Sequence, residues 1–125
     1  MLRSLRERGW IAVIDDDGSA RAAIDGVLKS VGLRAVSFAS AEEFLASDRP
    51  HSAACVITDL MMPGMNGLEL QQRLREDGSI PVVFVSAHGD DGVRERAMKA
   101  GAVGFLDKPF DDELLIELVG SALAE

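Results

Sequence analysis

Short apolar runs alternate with segments of helical spacing along the whole chain, and no internal repeat or low-complexity stretch interrupts them. The first run, Trp10-Ile11-Ala12-Val13-Ile14, is followed by Ala20, Ala23, Ile24, Val27, Leu28 and Val31, spaced for one helical face. This predicts a strand and then an amphipathic helix, stopped by Gly32. Arg34 to Phe38 is a second, weaker strand, and Ser40 with Glu43 reads as a capping box opening a helix through Phe44 and Leu45. A third strand, Ala53 to Thr58, ends at Asp59. The turn Met62-Pro63-Gly64-Met65-Asn66-Gly67 then leads into a helix with Leu70 and Leu74 one turn apart. Pro81 to Ser86 is the fourth strand. The helix after it, about Asp90 to Ala100, offers a core only Val93, Ala97 and Met98, so it is expected to be loosely held. The fifth strand, Ala102 to Leu106, precedes Lys108-Pro109. The last helix opens with Asp111, Asp112 and Glu113 at its positive end and carries Leu114, Leu115, Leu118, Val119 and Ala122 as its buried stripe.

Strict strand-helix alternation implies a parallel sheet covered by helices on both faces. The first, third and fourth strands are near-continuous apolar runs, which marks them as central. The second alternates and the fifth carries Gly104, so these belong at the edges. The order 2-1-3-4-5 satisfies both conditions. The expected fold is an α/β three-layer sandwich of the flavodoxin-like (βα)5 kind, with its ligand crevice at the carboxyl ends of the strands.

A chain of 125 residues fits one domain, and 47% hydrophobic with 27% charged residues is a globular mixture, so disorder and fibre are excluded. Thirteen basic against 21 acidic residues give a formal net charge of −8, a field that repels nucleic-acid backbones and anionic lipid. One cysteine, Cys55, cannot form an internal disulfide, and no apolar run approaches the ~18 residues of a membrane span. Residues 1–9 read as an N-terminal extension in which Arg3, Arg6 and Arg8 are solvated, and lack the apolar run of a signal peptide. Residues 10–125 read as the domain, in a reducing, cytoplasmic setting.

Polar residues end four strands on the side where such sheets bind ligands: Asp15, Asp16 and Asp17, then Asp59, then Ser86, then Lys108. Carboxylates brought this close repel one another, and a bound hard cation relieves them. Oxygen donors without His or Cys favour Mg²⁺, or Mn²⁺ in its place. A nearby lysine points to phosphate as the anion that completes the site, and a carboxylate can itself be the nucleophile that takes the phosphoryl group.

On these residues the sequence resembles the receiver domain of two-component response regulators. The likeness runs from about Trp10 to Leu123 and rests on four segments. They are Ile14-Asp15-Asp16-Asp17, Asp59 to Gly67, Ser86-Ala87 and Phe105-Leu106-Asp107-Lys108-Pro109-Phe110. The resemblance implies that Asp59 is phosphorylated by a sensor histidine kinase, and that Asp15, Asp16, Asp59 and the Met61 backbone carbonyl hold Mg²⁺. It implies that Lys108 and Ser86 bind the phosphoryl oxygens and that Phe105 is a switch aromatic. It also implies a cis Lys108-Pro109 bond, and that Met61 and His88 overhang the phosphoryl group and set its lifetime.

Ala97 to Ala102 and Lys108-Pro109-Phe110 look most like receivers of FixJ-like transcriptional regulators, which continue into a helix-turn-helix domain. The chain is then either an excised piece acting on its own output domain or a stand-alone receiver acting on a downstream protein or in a phosphorelay. In either case phosphorylation is expected to reshape the face of the fourth helix, fifth strand and fifth helix, and to favour a homodimer. Two other functions compete. An aspartyl-phosphate phosphatase of the haloacid-dehalogenase kind needs an acid two residues after the nucleophile, where Met61 stands. A flavin carrier needs an aromatic platform, and Trp10 with no tyrosine supplies no obvious one. Asp17 reads as a solvated helix-entry residue, Cys55 as core and His51 as a loop residue.

Overall fold

The computed structural model describes residues 9–47 and 52–124. The expected extension up to Arg8, and His51, lie outside them. The elements run β1 (Trp10–Ile14), α1 (Gly18–Ser30), β2 (Arg34–Phe38), α2 (Ala41–Leu45), β3 (Ala53–Thr58), α3 (Gly67–Asp77), β4 (Val82–Ser86), α4 (Asp91–Lys99), β5 (Gly104–Asp107) and α5 (Asp112–Leu123). The strands form one sheet in the order β2-β1-β3-β4-β5, all pairs parallel.

Period-two alternation divides each central strand between two cores. Ile11, Val13, Cys55, Ile57, Val83 and Val85 pack with Ile24 and Leu28 of α1 and Leu115 and Val119 of α5. Ala12, Ile14, Val56 and Phe84 point the other way, onto Phe44 of α2, Leu70 and Leu74 of α3 and Ala97 of α4. Both layers are dry, which is why these strands carry almost no polar residue until their last position.

Local chemistry fixes the helix starts. Asp17, Ser40, Asn66, Asp90 and Asp111 are N-caps whose side chains accept backbone N–H groups of the first turn. Asn66 and Glu69 complete a reciprocal capping box at the head of α3.

Three expected core positions are exposed. Met98 and Leu114 are 44% and 48% exposed, and Ala23 is exposed as well. The reason is helical rotation of about 100° per residue. Ala97 and Leu115 take the inward positions on their helices, which turns Met98 and Leu114 outward beside an edge strand with no further layer to cover them. Gln71, which the apolar pattern passes over, is buried, and its Nε2 donates to the Ala97 carbonyl at 3.0 Å. It ties α3 to the end of α4.

Candidate functional site

The sheet's own hydrogen bonds run one residue past the strand ends and pin the polar residues there. The Asp15 N–H donates to the Phe38 carbonyl at 3.1 Å, Asp59 N–H to Ile14 at 3.0 Å, and Lys108 N–H to Ser86 at 3.1 Å. β1, β3 and β5, the last through its pairing with β4, therefore deliver Asp15, Asp59 and Lys108 to one edge with little backbone freedom. The Lys108–Pro109 peptide is cis.

Lys108 Nζ sits between two carboxylates, 2.7 Å from Asp15 Oδ2 and 3.0 Å from Asp59 Oδ2. Asp15 is 1% exposed and Asp59 6%. Burial pushes the Asp15 carboxyl above its ordinary value, outweighing the Lys108 hydrogen bond. Burial acts on Asp59 in the same sense and is its largest single influence. Hydrogen bonds from Ser86, Lys108 and the Leu60 N–H, with the Lys108 charge, together outweigh it and hold Asp59 below the usual range. Burial likewise opposes the Lys108 charge, but its two carboxylate partners prevail and raise its pKa. Asp59 is thus the carboxylate whose ionised form is favoured, by a directed set of donors. The Leu60 N–H reaches Asp59 Oδ1 at 2.6 Å and the Met61 N–H at 3.4 Å.

Asp15, Asp16 and Asp59 each offer a carboxylate oxygen, all within 4.8 Å of one another, an oxygen-only donor set compatible with a hard divalent cation. Asp16 is exposed, which leaves one side of the set open to solvent. Asp17 turns away as the α1 N-cap, its Oδ1 accepting from the Ser19 N–H.

Ser86 is fully buried beside Asp59, and its Oγ accepts the His88 N–H at 3.1 Å. His88 itself is exposed. Met61, two residues after Asp59, is 55% exposed. Phe105 is 8% exposed, with its ring stacked on Phe84. Cys55 is buried in β3, and burial pushes its thiol up to about 12, which leaves it inert. Trp10 packs against Phe38 and Phe44, away from the carboxylates at the opposite end of β1.

Two residues that shape the site carried no signal in the linear pattern. Arg21 Nη1 donates to the Asp15 carbonyl at 2.6 Å, tying α1 to the acidic loop. Glu42, on α2, accepts the Met65 N–H at 2.8 Å, a bond that lowers its pKa. Gly64 passes directly against that carboxylate with φ +77°, a conformation and a clearance that a side chain would spoil. The loop after Asp59 is therefore held from outside by Glu42 and at its end by the Gly67 N–H on the Leu60 carbonyl, 2.8 Å. Each contact joins residues far apart or in irregular backbone, where periodicity says nothing.

Residues 11–120 match the family described as the response regulator receiver domain. Nodulation protein W of Bradyrhizobium diazoefficiens is 42% identical over 113 residues, covering 90% of this chain and 50% of that protein. The transcriptional regulatory protein FixJ of the same species is 39% identical over 119 residues, 94% of this chain and 58% of that one. The chain spans about half the length of the curated relatives it matches. The crystal structure of FixJ-N superposes with a TM-score of 0.83 at 34% identity, covering 94% of each chain. Sheet order, the acidic edge and sequence similarity thus converge over nearly all of the described residues, and the chain belongs to the response regulator receiver domain family.

Proposed function

We propose that this chain is a phosphoacceptor switch that takes a phosphoryl group from a sensor histidine kinase onto Asp59. The observation that carries the reading is the Lys108 ammonium shared by two buried carboxylates, of which Asp59 also accepts the Leu60 N–H at 2.6 Å and has its ionised form favoured. An ionised carboxylate is a nucleophile. An Asp59 oxygen forms a bond to phosphorus as the phosphorus–nitrogen bond of the phosphohistidine breaks. The nitrogen electron pair returns to the imidazole, which is protonated from solvent.

Asp15, Asp16, Asp59 and the Met61 carbonyl are the residues that would hold Mg²⁺, or Mn²⁺. When bound, the ion would supply positive charge that offsets the carboxylates and the incoming phosphoryl group. Lys108 then exchanges a carboxylate contact for a phosphoryl oxygen, and the Ser86 hydroxyl donates to another. Hydrolysis reverses the modification when water approaches in line, a path overhung by Met61 and His88. This is signalling chemistry with self-phosphorylation and self-dephosphorylation rather than turnover of a substrate.

The phosphoryl charge acts through Ser86 and Phe105 on the face made by α4, β5 and α5, where exposed Met98 and Leu114 supply apolar surface for a homodimer or an output domain. Relatives named as transcriptional regulators support control of transcription as the output. In this reading residues 10–125 are the receiver, residues 1–9 an extension, and the setting is the cytoplasm. Among the described residues no helix is long and apolar enough to cross a membrane.

Incubation with acetyl phosphate and Mg²⁺, followed by mass spectrometry, tests the proposal. One adduct, mapped to Asp59 and suppressed by a chelator, is expected. Labelling elsewhere, or turnover of unrelated phosphate esters, overturns it.

A further inference from the structure

Phe105 stands opposite Phe84 in the β4–β5 register, with ring centroids 5.6 Å apart and planes 21° from parallel. Gly89, in the loop before α4, lies so close to the edge of the Phe105 ring that any Cβ there would overlap it. A third wall comes from α4, where the Arg94 guanidinium lies 4.7 Å from the Phe105 ring centroid. The same group donates from Nη1 to the Phe105 carbonyl at 3.3 Å and from Nη2 to Asp107 Oδ1 at 2.8 Å. Ser86, which pairs with Asp107 in the same register, is at the same time turned to the Asp59 carboxylate.

The Arg94–Asp107 ion pair is partly solvated, with side chains 35% and 65% exposed, and a pair of that kind adds little by itself. Its value lies in direction. It fixes the fork so that the guanidinium plane covers the ring, a geometry that a lysine ammonium does not reproduce. α4 buries only Ala97 among its own residues, so the Arg94 contacts are a large part of what joins this helix to β5.

We infer that Arg94 is a positioning residue that latches the Phe105 ring inward and thereby favours the arrangement in which Ser86 faces Asp59. The inference rests on the phosphoacceptor reading and deepens it. Any ligand that requires Ser86 beside Asp59 binds more weakly once the ring is free to leave, because part of its binding free energy goes into restoring the ring. A divalent cation held by the acidic residues of β1 and β3 makes no such demand.

The test is calorimetric titration of two probes: Mg²⁺ alone, and fluoroberyllate, a phosphoryl mimic, in excess Mg²⁺. Arg94→Ala should weaken fluoroberyllate about threefold to tenfold, the size expected for losing one partly covered cation–π contact, and leave Mg²⁺ affinity unchanged. Arg94→Lys should fall between. Gly89→Ala, which displaces the ring and leaves Arg94 in place, should weaken fluoroberyllate in the same sense. Equal or tighter fluoroberyllate binding by Arg94→Ala and Gly89→Ala overturns the latch while the receiver reading stands. A parallel loss of Mg²⁺ affinity also overturns it, since Arg94 would then act on general integrity. Wild-type protein that binds Mg²⁺ and takes up no fluoroberyllate overturns the phosphoacceptor reading, and the latch with it.

Discussion

At the carboxyl ends of β1 and β3, Asp15 and Asp59 follow strands that are buried on both faces, and ladder hydrogen bonds continue onto their own backbone N–H groups. On the other side of Lys108, α4 and β5 are held quite differently. α4 buries Ala97 alone and leans on Gln71 and Arg94, and β5 is a four-residue edge strand. The first region owes its geometry to apolar burial, which is non-directional and hard to undo locally. The second owes it to a few polar and ring contacts, each of which an alternative partner can replace. A site that, as proposed, holds a phosphoryl group rigidly and reports its presence elsewhere needs both kinds of support, and here they meet at Ser86 and Lys108.

The comparison breaks most sharply at the acceptor. Asp59→Asn should abolish the acetyl-phosphate adduct, since an amide is a far poorer nucleophile, while leaving the fold intact by circular dichroism. An adduct formed on the variant at the wild-type rate would place the acceptor outside the rigid region.

Stability should divide the same way. Leu70→Ala, at a fully buried position under the sheet, should cost about 2–5 kcal/mol in denaturant unfolding. Met98→Ala on α4 should stay within about 0.5 kcal/mol. Hydrogen exchange should rank α4 amides well below those of β3, and similar protection in both would remove the distinction between the regions.

Within the rigid region, Asp15 is a built-in cost. Its raised pKa means that the folded state binds the proton more tightly than the unfolded chain does. Its contribution to stability therefore falls as pH rises from the ordinary value of 3.8 through the raised one. Asp59 has the opposite sign: its contribution is present above 3.8 and is lost as pH falls through its lowered value. Asp15→Asn should raise metal-free stability at pH 7 by on the order of 1 kcal/mol, because it removes a buried charge and a like-charge neighbour. That gain should shrink toward pH 4, and millimolar Mg²⁺ should stabilise wild type more than the variant. Urea melts at three pH values, with and without Mg²⁺, measure both effects. An unchanged or lower stability of the variant at pH 7 contradicts the assignment.

The smallest effect concerns phosphoryl lifetime at the border of the two regions. Met61, two residues after Asp59, is exposed and has no group that orients water, so Met61→Asn should speed loss of the phosphoryl group severalfold, and more than His88→Ala changes it. Decay of purified phosphoprotein in excess Mg²⁺ gives the order. Slower decay in Met61→Asn than in wild type would show that bulk at this position is not what shields phosphorus.

The alternation of elements, the sheet order and the acids at the strand ends were legible in the residues alone, because each follows from short-range pattern. An apolar run must be buried on both faces, it must end where polarity begins, and Gly104 and the polar alternation of Arg34 to Phe38 mark the edges. The tertiary fold set the two carboxylates apart: Lys108 serves both, and of the two only Asp59 also receives Ser86 from β4 and the Leu60 N–H. It also decided that Leu114 and Met98 face outward, that Gln71 is buried against the Ala97 carbonyl, and that Arg21, Glu42 and Arg94 reach across elements. Those contacts join residues from separate elements or irregular loops through long side chains. Periodicity encodes which face of an element is wet, and it carries no information about where a flexible polar side chain finds its partner.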